Sequence, residues 1–92
     1  MASFKDRVIQ VVKGIPKGEV MTYGEVAEAA GGDKHRNARE VGMVMSRNFD
    51  SSVPCHRVIK GNGEVGDYNR GGAEAKIEIL KKEGTDVRNF KI

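Results

Sequence analysis

Glycine and proline cut this chain so often that no long element fits between them. Gly14, Pro16 and Gly18 close one segment, Gly31-Gly32 a second, Gly61-Asn62-Gly63 a third and Gly84 the last. The fold must therefore be assembled from short pieces. Phe4, Val8, Val11, Val12 and Ile15 recur at helical spacing, with Ser3 as N-cap and Asp6 three residues on. This predicts a helix over about residues 4–14. Thr22 followed by Glu25 is a capping box, and Val26, Ala27 and Ala30 give the helix it opens an apolar inner face. Asp33 marks a further start. Ala38, Val41, Gly42 and Met45 predict a buried stripe on a helix over about residues 36–47.

Two short helices joined by a glycine turn form a helix-turn-helix signature, which an ordinary helical hairpin shares. Arg36, Arg39 and Arg47 on the second helix favour a nucleic-acid surface. Ala38 and Gly42 would let a backbone approach another body, or serve tight helix packing.

Beyond them, Asn48 to Pro54 reads as a polar loop, with Pro54 biasing Val53 to an extended shape. Arg57-Val58-Ile59 reads as a short strand and Glu64-Val65-Gly66 as its return, giving a small β-hairpin or wing. Asp67 to Gly72 is loop, and Ala73, Ile77 and Leu80 mark a last helix. The tail from Thr85 reads as loosely held, with Phe90 and Ile92 able to dock. The expectation is one mainly α, winged-helix-like helix-turn-helix domain over residues 1–92, with 84–92 a flexible tail.

Such a short chain buries a modest core. A single cysteine cannot form an internal disulfide, and with two histidines it supplies too few ligands for a structural zinc. One free thiol suits a reducing compartment, so the cytoplasm is expected. No apolar run approaches membrane-spanning length, and the N-terminus lacks a signal-peptide pattern. A net charge of +3 permits a nucleic-acid partner, although interleaved charges also suit an ordinary solvated surface.

The chemistry concentrates in Val53-Pro54-Cys55-His56-Arg57-Val58, which holds the only cysteine and one of the two histidines. A thiol reacts as its thiolate, helped by a hydrogen-bonded histidine or a nearby cation such as Arg57. Adjacent side chains on an extended strand point to opposite faces, so Cys55 and His56 can cooperate only across a turn or through a water. A histidine acting as a base usually has its second nitrogen held by a carboxylate, and Glu83 and Glu64 are the candidates. Taken alone, the pair fits equally a small buried hydrophobe beside a backbone-satisfied histidine.

The whole string is more specific. Pro54-Cys55-His56-Arg57-Val58 resembles the acceptor motif of the 6-O-alkylguanine-DNA alkyltransferases, and the chain is similar to the C-terminal domain of that family. The likeness runs through Gly18-Glu19-Val20, Thr22-Tyr23-Gly24-Glu25-Val26-Ala27 and Ala38-Arg39-Glu40-Val41-Gly42 with Met45. It continues through Asn48, Gly63-Glu64-Val65-Gly66, Tyr68, Gly71-Gly72, Leu80 and Glu83-Gly84.

The resemblance implies a second helix that enters the minor groove of double-stranded DNA containing 6-O-alkylguanine. Arg39 would fill the gap left by the flipped base, and Tyr23 would press on the adjacent phosphate. Ala38 and Gly42 would fit the narrow groove, and Arg36, Arg47 and Arg70 would meet phosphates. Cys55 would take the alkyl group, with His56 as base through a water, Glu83 behind it and Asn48 bracing the loop. The Val58 carbonyl and the loop around Tyr68 and Asn69 would line the base pocket. The thioether is permanent, so each molecule, acting as a monomer, would turn over once. The scheme needs no cofactor and no metal.

The short length matches the alkyltransferase-like proteins, which bind the lesion without transfer and signal to excision-repair proteins. Those typically replace the cysteine that this chain keeps. Glu40 and Met43 stand where smaller residues are usual, and the loop over residues 67–72 is one residue longer than in many relatives. Two further readings are a helix-turn-helix regulator, which would read the major groove, and a Cys-His hydrolase, for which no oxyanion hole is recognisable.

Overall fold

The computed structural model describes residues 3–66 and 68–91. Its order is α1 (Phe4–Lys13), β1 (Met21–Thr22), α2 (Tyr23–Ala29), α3 (Ala38–Ser46), a 3₁₀ turn (Cys55–Arg57), β2 (Val58–Ile59) and α4 (Gly72–Lys82). The mainly helical expectation with a small sheet stands. α1 and α2 start where side chains can satisfy their free amides. Ser3 Oγ accepts from the Asp6 amide at 3.1 Å. At α2 the capping box is complete: Glu25 N donates to Thr22 Oγ1 at 3.1 Å, and Thr22 N donates to Glu25 Oε1 at 2.8 Å. A cap of this kind is worth about 1 kcal/mol.

α3 begins at Ala38, two residues later than expected, and ends at Ser46, which leaves Arg47 as its C-cap rather than on the helix. The Asp33 carboxylate accepts from the amides of His35 and Arg36, both at 2.8 Å, which folds 34–36 into a turn of its own. Those two donors, Arg36's first, hold the Asp33 carboxyl below its usual range. Arg36 consequently lies in the turn before α3 rather than on it.

The expected hairpin is replaced by a different pairing. β2 pairs with β1 in parallel, Met21 opposite Val58 and Thr22 opposite Ile59. The chain does reverse after β2, with Lys60 N donating to Glu64 O at 2.9 Å. The returning segment then finds its partner in the C-terminal residues. Val65 N donates to Lys91 O, and Lys91 N to Gly63 O, each at 2.9 Å. Arg57, expected in the strand, belongs to the 3₁₀ turn, its amide donating to Pro54 O at 2.9 Å. The segment after Gly84, expected to be loose, is tied at Lys91 by these bonds, and Ile92 lies outside the described residues.

The core joins Val8, Val12 and Ile15 from α1 and its end, Val26 and Ala27 from α2 with Ala30 at its C-cap, and Val41 and Met45 from α3. Val53, Cys55 and Val58 complete it. The nucleophile candidate is therefore part of the apolar core, not an appendage. α4 buries Leu80 and, unexpectedly, Lys76, while Ala73 and Ile77 are only half-buried. Lys76 Nζ donates to the Val65 carbonyl and lies 5.7 Å from the centre of the Tyr23 ring. Among the described residues no helix is long and apolar enough to cross a membrane.

Candidate active site and nucleic-acid interface

A groove of about 870 Å³ brings together Tyr23, Ala38, Arg39, Gly42, Cys55, Tyr68 and Asn69, all expected site residues. Tyr23 is the first residue of α2, and Ala38 and Arg39 open α3. The capping box and the Asp33 turn thus set where these side chains emerge. Gly42 sits mid-helix, where glycine costs about 1 kcal/mol relative to alanine. A Cβ built there would meet nothing within 4 Å, so packing inside the chain does not require this glycine. Of the two uses weighed for it, approach by an outside body is the one left.

Cys55 is a free thiol, 5% exposed, at the head of the 3₁₀ turn. That turn removes the opposite-face problem of an extended Cys-His pair. Behind Cys55, His56 Nε2 meets Glu83 Oε2 at 2.9 Å. An ionised carboxylate only accepts, so Nε2 carries the hydrogen and the neutral ring keeps Nδ1 as its acceptor. Of the two carboxylate candidates, the structure selects Glu83. Glu64 instead faces Lys60 at 3.4 Å.

Arg57 completes the arrangement. Its Nε and Nη2 donate to the two Glu83 oxygens at 2.9 and 2.8 Å, and its Nη1 donates to the Ile15 carbonyl at 2.8 Å. The Glu83 carboxyl is held down at about 2, chiefly by the Arg57 guanidinium and then by His56, with burial opposing. Glu83 is therefore ionised across the physiological range, and the carboxylate in turn raises the Arg57 pKa. The Tyr68 ring meets the His56 ring edge-on, centroids 6.5 Å apart at 75°. Burial, then the Cys55 sulfur, pushes the Tyr68 hydroxyl above its usual value.

Asn69 ties the pocket loop to the end of α3. Its Nδ2 donates to the carbonyls of Asn48 at 2.7 Å and Ser46 at 3.0 Å. Asn48 is buried and spans the next bend, donating to Asp50 O at 3.2 Å and accepting from Asp50 N at 3.3 Å. Other expected residues lie elsewhere. Val58 is wholly buried in β2 and does not line the groove. Arg36 and Arg70 are exposed and do not line it either, and Arg47 borders a separate cleft. Asp67, in the loop read as lengthened, lies outside the described residues.

Sequence reasoning missed Lys34 and His35, which line the groove from the turn, and Lys60 and Gly61, which line it from beyond β2. The basic run Lys34-His35-Arg36 between two helices was the available signal. Lys76 also had one: it stands three residues after Ala73 and four before Leu80, in the register of the buried stripe.

The family model for the DNA-binding domain of 6-O-methylguanine DNA methyltransferase matches residues 3–85. A methylated-DNA--protein-cysteine methyltransferase of Methanothermobacter thermautotrophicus is 41% identical over 85 residues, 91% of this chain and 46% of that protein. The enzyme of the same name from Mycobacterium leprae is 43% identical over 85 residues, 91% of this chain and 50% of its own. The chain thus spans about half the length of these curated relatives. Among solved structures, Mycobacterium tuberculosis OGT in complex with DNA superposes with a TM-score of 0.80 at 37% identity, covering 90% of this chain and 49% of that one. S. pombe Atl1 in complex with damaged DNA containing O6-carboxymethylguanine gives 0.77 at 32% identity, covering 94% of this chain and 82% of that one. A parallel sheet of two two-residue strands, a bare helix face and a cysteine next to a histidine held by glutamate are thus found in a chain that belongs to the 6-O-methylguanine DNA methyltransferase DNA-binding-domain family.

Proposed function

We propose that this domain repairs 6-O-alkylguanine in duplex DNA by moving the alkyl group onto Cys55. One observation carries the reading: the groove that exposes Arg39 and the bare face of Gly42 also reaches the Cys55 thiol, whose neighbour His56 is held by Glu83. A duplex seated on α3 presents its lesion to that groove, and the nucleotide turns outward past Tyr23 while Arg39 fills the vacated stack. Turning it out costs a few kcal/mol. His56 Nδ1 takes the thiol proton through a water. The sulfur forms a bond to the alkyl carbon, the carbon–oxygen bond breaks, and the electron pair returns to guanine, which regains a proton. The products are a thioether on Cys55 and unmodified guanine. Displacement at saturated carbon needs alignment and a stabilised leaving group, not an oxyanion hole. The thioether cannot be reversed by hydrolysis, so the protein acts once, as a monomer, with no cofactor. A lone free thiol suits the reducing cytoplasm.

The test is intact-protein mass spectrometry after incubation with duplex DNA carrying one 6-O-methylguanine. A gain of one CH₂ located on Cys55, absent with plain DNA, supports transfer. The likeness to Atl1, of which the match covers 82%, favours a second reading: a lesion binder that passes the site to excision-repair proteins. No mass gain together with preferential binding to the modified duplex would select that reading.

A further inference from the structure

The segment after Gly84 supplies none of the acceptor chemistry, and the family match ends at residue 85. The structure nevertheless gives residues 89–91 a defined seat beside the turn that follows β2. Lys91 donates its amide to Gly63 O and accepts from Val65 N, each at 2.9 Å, so that Glu64 and Lys91 pair as a parallel β-bridge. The Asn89 carbonyl passes 3.8 Å from where a Cβ on Gly63 would stand. Half-buried Phe90 donates its amide to Val87 O at 3.1 Å, a turn that leads into the bridge.

The bridge holds a wall of the groove. Val65 is wholly buried and gripped at both ends of its backbone, its amide by Lys91 and its carbonyl by Lys76 Nζ. The next residue, Gly66, has φ +78° and lies close to Tyr23: an added Cβ would stand 3.1 Å from Tyr23 Oη and 3.5 Å from Lys60 Cγ. Lys60, at the other end of the turn, donates its amide to Glu64 O at 2.9 Å and lines the groove together with Gly61. Direct contacts therefore run from Lys91 through Val65 and Gly66 to Tyr23, the side chain that turns the nucleotide outward in the proposed mechanism.

Resting on that mechanism, we propose that residues 86–91 form a strap that positions Tyr23 and the Lys60–Gly61 wall for the transfer. Two short segments joined by a glycine turn are marginally stable in water, and a third segment paired with them fixes their place. Lys91 is a positioning residue, and it acts through its main chain. Held by the strap, Gly66 fixes where the Tyr23 hydroxyl stands at the groove. The Cys55–His56–Glu83 arrangement lies outside this line of contacts, so the strap governs delivery of the nucleotide and not the reactivity of the thiol.

The test separates those two quantities. Lys91→Pro removes the amide hydrogen that Gly63 accepts, a chain shortened after Arg88 removes the whole bridge, and Lys91→Ala keeps both main-chain bonds. For each, intact-protein mass spectrometry follows single-turnover transfer from saturating duplex carrying 6-O-methylguanine. Alkylation of Cys55 by iodoacetamide without DNA, and thermal melts, are run beside it. Lys91→Pro and the shortened chain should transfer about fivefold more slowly, the size of one net main-chain hydrogen bond, and react with iodoacetamide at the parent's rate. Lys91→Ala should match the parent throughout. Transfer at the parent's rate in both bridge variants, with only the melting temperature lowered, would reduce the strap to a stability device and overturn the proposal. A loss in Lys91→Ala equal to that in Lys91→Pro would place the effect in the side-chain charge, and a matching loss of iodoacetamide reactivity would place it in the thiol; either overturns it too. A parent that gains no mass removes the transfer reading instead. The strap is then decided by the preference for modified over plain duplex: its loss in Lys91→Pro supports the strap, and its retention overturns it. A parent with neither transfer nor preference removes both.

Discussion

Cys55 is core and candidate nucleophile at once, and that double role sets what its replacement should show. Cys55→Ser is nearly isosteric and should abolish the mass gain on modified duplex while leaving duplex binding in place. Retained transfer in that variant would refute the mechanism. Glu83 allows a pH prediction. Its folded pKa of about 2 lies below its ordinary value of 4.5, so the charged form is favoured by folding. That stability is fully present above 4.5 and is lost as pH falls through about 2; it amounts to on the order of 3 kcal/mol. Glu83→Gln should therefore melt well below the parent at neutral pH, with the difference closing towards pH 2. A gap that stays constant across this window would show that Glu83 is not held down by Arg57 and His56. The Cys-His pairing and the choice between Glu83 and Glu64 were legible as candidates from the chemistry alone. That Arg57 takes both Glu83 oxygens was not, because a bidentate contact across 26 residues leaves no local trace in the sequence.

The helices show where local chemistry is decisive and where it is overruled. Thr22 and Glu25 announced α2, and the structure has both capping bonds. Thr22→Ala should cost about 1 kcal/mol in denaturant unfolding. The head of α3 was misplaced because Asp33 captures two amides that would otherwise have begun the helix. The hairpin was misread for a related reason: the alternation around Gly61–Gly63 is genuine turn chemistry, but neither flanking segment pairs with the other along its length. Each finds a distant partner instead, β1 for Val58–Ile59 and Lys91 for Glu64. Gly42 provides the sharpest prediction at this scale. With open space where its side chain would go, Gly42→Ala should raise stability by up to about 1 kcal/mol. The same methyl should weaken duplex binding if α3 is the docking face. Unfolding and binding measured on one preparation would test the trade. A variant that is both more stable and equally tight in binding would count against α3.

For the molecule as a whole, α4 acts as the clamp. Through Lys76 it holds the Val65 carbonyl and faces Tyr23, and at its C-cap it presents Glu83 to His56 and Arg57. Lys76→Ala removes a buried donor and leaves a cavity, so a loss of about 3 kcal/mol is expected in chemical denaturation. A loss within experimental error would mean that the helix docks without it. The contacts that assemble the proposed acceptor site also share a geometric property. His56 reaches Glu83 across 27 residues and Arg57 reaches Ile15 across 42, while α2 and α3 are neighbours along the chain. Closing long loops is slow relative to forming local helices. In time rather than space, the α2–α3 face is the part of this protein able to exist first, and the histidine–glutamate backing of the thiol among the last to be completed. A chain emerging from synthesis would then carry its reading surface before its chemistry. On the proposed reading, a transfer that Cys55 can make only once would be withheld until the fold that aims it is closed.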